Sequence, residues 1–249
     1  MEIITVRQLT HRFVDGTLGL KGVDLRISEG EFIVLAGRNG SGKTVLVRHF
    51  NGLLEPTEGF VSVSGVDVHS DPMRARRMVG LLFQESDSQI VGETVRADVA
   101  FGPRNLMLPP EEIERRVSGA LRCAGLQDLD AHAPHLLSGG EKRRLALAGV
   151  LAMEPKVLVF DEPFSNLDYP GVLMILERIV SLHEAGHTVI LITHDLDKVL
   201  AHADRLVLMD DGRVVRAGPP GDLLREVETF GVRMPRGIDG RVEDLTWLR

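Results

Sequence analysis

A glycine-rich run near the N-terminus has the residue types and spacing of a phosphate-binding loop. The run Gly37-Arg38-Asn39-Gly40-Ser41-Gly42-Lys43-Thr44 fits the pattern G-x-x-x-x-G-K-[ST]. It follows a short apolar run, Phe32–Leu35, and precedes a helical run, Val45–Leu53, and this strand–loop–helix context is the one that the pattern requires. Glycines let the backbone N–H groups approach phosphate oxygens, and the helix start adds partial positive charge. We therefore expect residues 37–44 to bind a nucleoside triphosphate, with Lys43 on its β- and γ-phosphates and Thr44 on Mg²⁺.

Two carboxylates end a second apolar run. Asp161 and Glu162 follow Val157–Phe160, and ligand sites of parallel sheets lie beyond the carboxyl ends of the strands. A turn that caps a helix would also place acids here, but the phosphate loop upstream favours a catalytic interpretation. We expect Asp161 to hold Mg²⁺, through water, and Glu162 to position or deprotonate the water that attacks the γ-phosphate.

A serine and two glycines open a helical run between these two motifs. Ser138 is a preferred helix cap, so Ser138, Gly139 and Gly140 before Glu141–Met153 could be a simple helix start. Two glycines in a first turn cost roughly 1 kcal/mol each relative to alanine, which favours a further role. Exposed N–H groups at a helix start form an anion site, whereas Lys43 already serves the chain's own phosphate.

The composition restricts the class of protein. The chain has 249 residues, of which 43% are hydrophobic, and it has a net charge of −7. That is enough for one large α/β domain or two small ones, and the acidic balance argues against a nucleic-acid partner. Cys123 is the single cysteine, so no internal disulfide can form, as suits a reducing compartment. No apolar run reaches the roughly 20 residues that a membrane-spanning helix needs.

The elements that must position these motifs alternate between strands and helices. Short β-rich runs occur at Ile3–Val6, Val23–Ile27, Phe32–Leu35, Phe60–Val63, Val79–Phe83, Val157–Phe160, Thr188–Ile192, Leu206–Met209 and Arg213–Arg216, whereas Glu111–Ala124 and Gly139–Met153 have helical spacing. Continuous apolar runs are typical of parallel strands buried on both faces. We predict one α/β domain with a core at residues 1–86 and 155–228, a helical subdomain at residues 87–154, and a short tail at residues 229–249.

These motifs, in this order, resemble the ATPase subunits of ABC transporters over nearly the whole chain. The resemblance implies a P-loop NTPase (RecA-like) core with a mostly parallel sheet, N-terminal antiparallel strands and an inserted helical subdomain. It also implies that ATP and Mg²⁺ bind between two subunits arranged head to tail. Ser138, Gly139 and Gly140 would then bind the nucleotide that the opposite subunit holds.

The same resemblance assigns roles to four further segments. Gln84 matches the glutamine that senses Mg²⁺ and contacts the transmembrane partner, and His194 matches the histidine on the γ-phosphate. Phe13 matches the aromatic residue that stacks on adenine. Such stacking is possible because every base offers a π-face to an aromatic ring. Ser165–Asp168 match the loop that crosses the dimer interface.

Two stretches, Phe83–Pro103 and Lys142–Met153, are most similar to the energy-coupling-factor branch of this family, which drives uptake of vitamins and of cobalt or nickel ions. This implies a peripheral subunit on the cytoplasmic face of the membrane. Its partners would be a second ABC ATPase, identical or different, an integral-membrane coupling subunit and a substrate-binding membrane subunit. The segment Gln84–Pro103, with Gln89, Ile90 and Val91, is the predicted docking site. The alternatives are the motor of another ABC transporter class and a soluble ABC ATPase that takes no part in transport.

Overall fold

The computed structural model describes residues 1–235 and 241–248. Within them the strands are β1 Glu2–Arg12, β2 Leu18–Ser28, β3 Phe32–Ala36, β4 Glu58–Val63, β5 Val66–Asp67, β6 Val79–Leu82, β7 Val157–Asp161, β8 Thr188–Ile192, β9 Arg205–Asp210 and β10 Arg213–Gly218. The helices are α1 Lys43–Phe50, α2 Pro72–Met78, α3 Val95–Asn105, α4 Pro110–Ala124, α5 Gly139–Leu151, α6 Tyr169–Glu184 and α7 Pro220–Leu223.

The central sheet carries the strands that end in the predicted motifs. Its order is β10-β9-β3-β8-β7-β6, with parallel pairing throughout except between β9 and β10. Every residue of β3, β7 and β8 is buried, because helices or the second sheet cover both faces. The carboxyl ends of β3, β8, β7 and β6 consequently lie side by side at one edge.

A second, antiparallel sheet packs against this core. Its order is β2-β1-β4-β5, and its apolar residues share one cluster with α1 and with one face of the central sheet, including Ile4, Leu20, Phe50 and Val159. Strands β1 and β2 are longer than the sequence pattern indicates. Phe13 therefore follows the end of β1 directly, at the rim of the phosphate loop.

Helices α3, α4 and α5 form the inserted subdomain with a core of its own. Val99, Leu121 and Leu145 are among its buried residues. The helices begin at side-chain caps where the sequence offers them, such as Thr94, which accepts from the N–H of Ala97 (3.1 Å). The predicted fold class, a mostly parallel α/β core with N-terminal antiparallel strands and helical insert, is confirmed. None of the described helices is both long and apolar enough to span a membrane.

Candidate active site

The loops that leave the carboxyl ends of four neighbouring strands surround one cavity. Its volume is about 520 Å³. Its lining includes most of the predicted site residues, namely Phe13, Asn39, Gly40, Gly42, Lys43, Thr44, Gln84, Asp161, Glu162 and His194. Gly37, Arg38 and Ser41 belong to the same loop but do not line the cavity. Because β3, β6, β7 and β8 are adjacent, the sheet brings together residues that are far apart in the sequence.

The phosphate loop needs glycine where its backbone approaches other chain segments. Gly42 has a φ of 100°, and a Cβ there would lie 2.7 Å from the carbonyl oxygen of Gly19. At Gly37 a Cβ would lie 2.2 Å from the carbonyl oxygen of Met209. A side chain at either position would force the loop away from the core, so the loop's shape depends on these two glycines.

The Lys43 ammonium lies within the loop that precedes it. It donates to the carbonyl oxygens of Gly37 (2.7 Å) and Arg38 (3.0 Å) and reaches Ser41 Oγ (3.4 Å). Burial lowers the pKa of Lys43, and the charges of Glu162 and Asp161 oppose that shift. These contacts preorganise a buried cation at the wall of the cavity.

Thr44 and Asp161 meet at the base of the cavity. The Thr44 hydroxyl donates to Asp161 Oδ2 over 2.8 Å, and burial raises the pKa of Asp161 while this hydrogen bond opposes the rise. Gln84 lines the same cavity and, with Thr44 and Asp161, an adjoining smaller one. A hydroxyl, a carboxylate and an amide are hard oxygen donors, and this donor set fits Mg²⁺ completed by water and phosphate oxygens.

The backbone of Glu162 is held in an unfavourable conformation. Its φ of 49° lies in the left-handed region, which costs a non-glycine residue roughly 1–2 kcal/mol. The Glu162 N–H donates to the Ile192 carbonyl (3.0 Å), and the Glu162 carbonyl accepts from Arg143 (3.1 Å). Such strain persists where the surroundings over-determine the conformation, commonly at functional sites.

His194 is hydrogen-bonded to the carboxylate of Glu162. Its Nδ1 lies 2.9 Å from Glu162 Oε1, and this hydrogen bond raises the pKa of His194 while partial burial opposes the rise. The Glu162 side chain is 13% exposed and that of His194 60% exposed. The carboxylate is therefore fixed at the cavity floor, whereas the imidazole depends on hydrogen bonds for its position.

Arg143 on α5 is a residue that sequence reasoning missed. It is buried, and its guanidinium donates to the main-chain carbonyls of Gln84, Glu162, Pro163 and Ser165. Burial lowers its pKa, opposed by Glu162. The sequence signal was a basic residue on the apolar side of an otherwise regular helix. Its carbonyl partners come from two distant loops, which only the fold identifies.

Phe13 lines the same cavity as the acids. It is 40% exposed, and its inner edge packs on His11, with 4.8 Å between ring centroids. A Cβ at Gly19 would lie 2.7 Å from the Phe13 ring, so glycine there makes room for the aromatic side chain. This leaves one part of the ring open to the cavity.

The helix start predicted to bind the nucleotide of the opposite subunit lies outside this cavity. Ser138, Gly139 and Gly140 do not line the cavity. Ser138 and Glu141 form a capping box in which Ser138 Oγ donates to Glu141 Oε2 (2.8 Å) and accepts from the Glu141 N–H (3.3 Å). Sequence reasoning weighed Ser138 as a cap but missed Glu141, although S-x-x-E is a capping-box pattern.

The Ser165–Asp168 loop connects β7 to α6 and also lies outside the cavity lining. Asp168 caps α6 by accepting from the Gly171 N–H (3.0 Å), and Asn166 has a φ of 60°. Arg143 holds the Ser165 carbonyl. The loop is therefore tied to the same guanidinium as Glu162.

Comparison with known proteins places this chain in one family. The family model described as ABC transporter matches residues 20–165. The energy-coupling factor transporter ATP-binding protein EcfA of Methanocaldococcus jannaschii is 43% identical over 95% of this chain and 87% of its own length.

Solved structures agree with this assignment. CbiO1 from Clostridium perfringens, part of the ABC transporter complex CbiONQ, superimposes with a TM-score of 0.81 at 39% identity and covers 92% of each chain. A dimeric ATP-binding cassette in a post-hydrolysis state with ADP and Pi has a TM-score of 0.78 at 29% identity, over 87% of this chain and 98% of that one. The chain belongs to the ABC transporter family, as an ATP-hydrolysing subunit of the energy-coupling-factor type.

Proposed function

We propose that the chain hydrolyses ATP with Glu162 as the residue that positions or deprotonates the attacking water. The observation that carries this is the convergence of Lys43, Asp161, Glu162 and His194 on one cavity. Glu162 directly follows β7, and His194 Nδ1 lies 2.9 Å from its Oε1. His194 would hold the γ-phosphate and keep the Glu162 carboxylate oriented, and Phe13 would stack on adenine.

The charges of the site suit a triphosphate. The Lys43 ammonium would exchange its contacts with the Gly37 and Arg38 carbonyls for the β- and γ-phosphate oxygens, which are stronger acceptors because they are charged. Thr44, Asp161 and Gln84 would hold Mg²⁺, which when bound neutralises charge on the β- and γ-phosphates. Backbone N–H groups of residues 37–44 would bind the remaining phosphate oxygens.

Each site would be completed by a second ATPase subunit, identical or homologous. Ser138, Gly139 and Gly140 lie outside the chain's own cavity, and nothing lies within 4 Å of a Cβ built on Gly139. The first turn of α5 is therefore accessible to a partner. In a head-to-tail dimer it would meet the γ-phosphate held by the partner's lysine loop, so ATP would join the two subunits and hydrolysis would release them.

A groove of about 370 Å³ between the core and the helical subdomain would receive the membrane subunit. Met73, Val91 and Phe101 line it, and they are 59%, 61% and 53% exposed. An amphipathic helix fits such a groove with its apolar face. Gln89 lines this groove and accepts from the N–H of Phe83, the residue before Gln84, so a helix seated in the groove would be connected to the phosphate site through that segment.

The structure sharpens the predicted docking segment. Gln89 is used internally, since its amide accepts from the Phe83 N–H (2.8 Å) and donates to the Leu81 carbonyl (2.9 Å). Ile90 packs against the core of the helical subdomain. Val91 and Phe101 are consequently the better candidates for direct contact with a partner.

The complete assembly would be an importer for a vitamin or a transition-metal ion, with this chain bound at the cytoplasmic face of the membrane. The relatives named for energy-coupling-factor and CbiONQ transporters support this proposal. The cargo would contact the membrane subunits and not this chain, so the residues of the ATPase site do not identify it. Identification of the membrane subunits that co-purify with the chain is the most informative single experiment.

The test combines purification with two exposed substitutions. Val91→Asp with Phe101→Asp should leave ATP binding intact but weaken co-purification with the membrane subunits and abolish uptake, because two charges enter an apolar contact. Met107→Asp is the control, since Met107 is 87% exposed and lies outside the groove. Normal assembly and transport by the double variant would contradict the docking site. Absence of any membrane protein in the purified complex would favour a soluble ABC ATPase.

A further inference from the structure

The C-terminal segment 241–248 returns to the ATPase core and packs against the loop that follows His194. Leu245 is fully buried, and its carbonyl accepts from the Ala201 N–H (3.0 Å). Thr246 Oγ1 lies 2.7 Å from His202 Nε2. The segment is therefore fixed beside residues 195–202.

Trp247 contacts that loop through its main chain and its side chain. Its N–H donates to the Lys198 carbonyl (3.2 Å), and its indole Nε1 donates to Asp197 Oδ2 (3.2 Å). Its ring also packs on Tyr169, with 5.3 Å between centroids. Tyr169 is the first residue of α6, directly after the Ser165–Asp168 loop. One side chain thus touches the segments that follow both His194 and Glu162.

Lys198 connects the tail to His194. Its ammonium lies 4.9 Å from the centroid of the Trp247 ring and 5.7 Å from that of Phe164, so it lies within cation–π range of two aromatic rings. The same ammonium forms an ion pair with Asp195 Oδ2 (2.5 Å). Asp195 Oδ1 in turn lies 3.7 Å from His194 Nε2, on the side of the imidazole that faces away from Glu162.

We propose that Trp247 and Lys198 are positioning residues for hydrolysis, and that the segment 241–248 fixes the loop after His194 relative to the loop after Glu162. His194 is 60% exposed, so packing alone does not fix it. It lies between Glu162 and Asp195, and Asp195 is fixed by Lys198. Phe164 follows Glu162 by two residues, which ties the same cation to the loop of the catalytic carboxylate.

The chemistry predicts a loss of turnover rather than of ATP binding. The phosphate loop, the Thr44–Asp161 pair and Phe13 have no contact with Trp247 among those described, so the affinity for ATP should be retained. The position of His194 affects the γ-phosphate and the attacking water, where small displacements are costly. The proposal rests on the roles of Glu162 and His194 proposed above.

The first experiment compares turnover in matched pairs of variants. Trp247→Leu and Lys198→Met should lower kcat roughly tenfold with KM for ATP changed by less than about twofold. Trp247→Phe and Lys198→Arg keep the aromatic face and the cation, and should restore most of kcat. Thr246→Val is the control, because it removes another tail contact without touching Lys198. All variants are assayed well below their measured unfolding temperatures.

Equal losses in Thr246→Val and Trp247→Leu would mean that the tail only supports the fold, and would overturn the proposal. Wild-type kcat in Lys198→Met would overturn it as well. A rise in KM with unchanged kcat would assign the tail to binding instead.

The second experiment does not require hydrolysis. Trp247 is the only tryptophan of the chain, so its fluorescence reports directly on this contact. Addition of ATP to a Glu162→Gln chain should shift the Trp247 emission, and the added substitution Lys198→Met should abolish the shift. Unchanged emission in the presence of bound ATP would overturn the proposed coupling. Near-normal ATPase activity of the Glu162→Gln chain, with the emission shift present, would instead count against the role of Glu162.

Discussion

Two glycine-rich helix starts in this chain have opposite surroundings. The loop before α1 lies at the carboxyl edge of the central sheet, with Asp161, Glu162 and His194 around it. The start of α5 is held by a capping box, Ser138 with Glu141, and lies outside the cavity lining. The first site gathers a cation, acids and a histidine within one subunit, whereas the second offers N–H groups outward.

The difference shows how each site depends on the fold. Strand order assembles the first site, because parallel strands end at one edge and place their loops together. The second site is created by the inserted subdomain, whose helix α5 begins outside the lining of the cavity. Arg143 lies on the same helix and holds Glu162 and Gln84 through their carbonyls. A displacement at the start of α5 can therefore reach the first site through one guanidinium.

The largest expected effect concerns Glu162, a carboxylate that lines the cavity at the phosphate loop. Glu162→Gln should keep ATP binding but lower turnover by roughly 10²–10⁴-fold, the range for a positioned base. Since ATP would persist, an ATP-bound dimer should accumulate in size-exclusion chromatography. Glu177→Gln, an exposed change on α6, is the control. Near-normal ATPase activity in Glu162→Gln would remove Glu162 from the mechanism.

The second prediction tests whether the two helix starts act on one nucleotide. Lys43→Ala disables the phosphate loop before α1, and Gly139→Asp disables the start of α5. The aspartate acts through its charge and not through a clash, because a Cβ at Gly139 has nothing within 4 Å. Each variant alone should be inactive. At equal mixing, roughly a quarter of the wild-type activity should return, because half of the dimers are mixed and each has one intact site.

Gly119→Asp is the matched control for this exchange. Gly119 lies in the same subdomain, on α4, and a Cβ added there would also have nothing within 4 Å. The substitution therefore adds the same charge away from the start of α5. Normal activity is expected. Full ATPase activity from a verified monomer would contradict a shared site. A mixed sample that contains mixed dimers but shows no ATPase activity would contradict it as well.

The sequence was informative where function depends on local spacing. Residues 37–44, Asp161 and His194 follow strands that apolar runs reveal, and adjacency of those strands brings them together. Arg143 and Trp247 could not be assigned in this way, because their partners are main-chain carbonyls and side chains from loops distant in sequence. The longer β1 and β2 were missed because their outer residues alternate with polar ones and pair through irregular register.

A third prediction addresses the connection between the two regions. Arg143→Lys keeps the charge, but lysine has fewer N–H donors in a different geometry. Some of the four main-chain carbonyls that Arg143 holds would therefore lose their partner; they belong to Gln84, Glu162, Pro163 and Ser165. The free energy of unfolding should fall by about 1–3 kcal/mol for each carbonyl left unsatisfied. In addition, kcat should fall while ATP binding is retained.

Chemical denaturation and steady-state kinetics measure the two effects. Arg122→Lys, an exposed change at the end of α4, is the control and should alter neither quantity. Stability and kcat equal to those of the wild type in Arg143→Lys would show that the guanidinium does not connect the helix start to the first site.

The smallest expected effect concerns the protonation of His194. Its hydrogen bond to Glu162 raises its pKa above the ordinary value of 6.5, so the protonated form is favoured in the folded chain. The resulting stabilisation is fully present below pH 6.5 and is lost as the pH rises through the raised pKa. NMR titration without nucleotide or metal should show this raised value in the wild type and a lower one in Glu162→Gln. His202, whose pKa is lowered by burial, should titrate identically in both chains. An unchanged His194 pKa in Glu162→Gln would mean that this pair does not hold the imidazole, and the histidine would then be set apart from the acids and the cation of the first site.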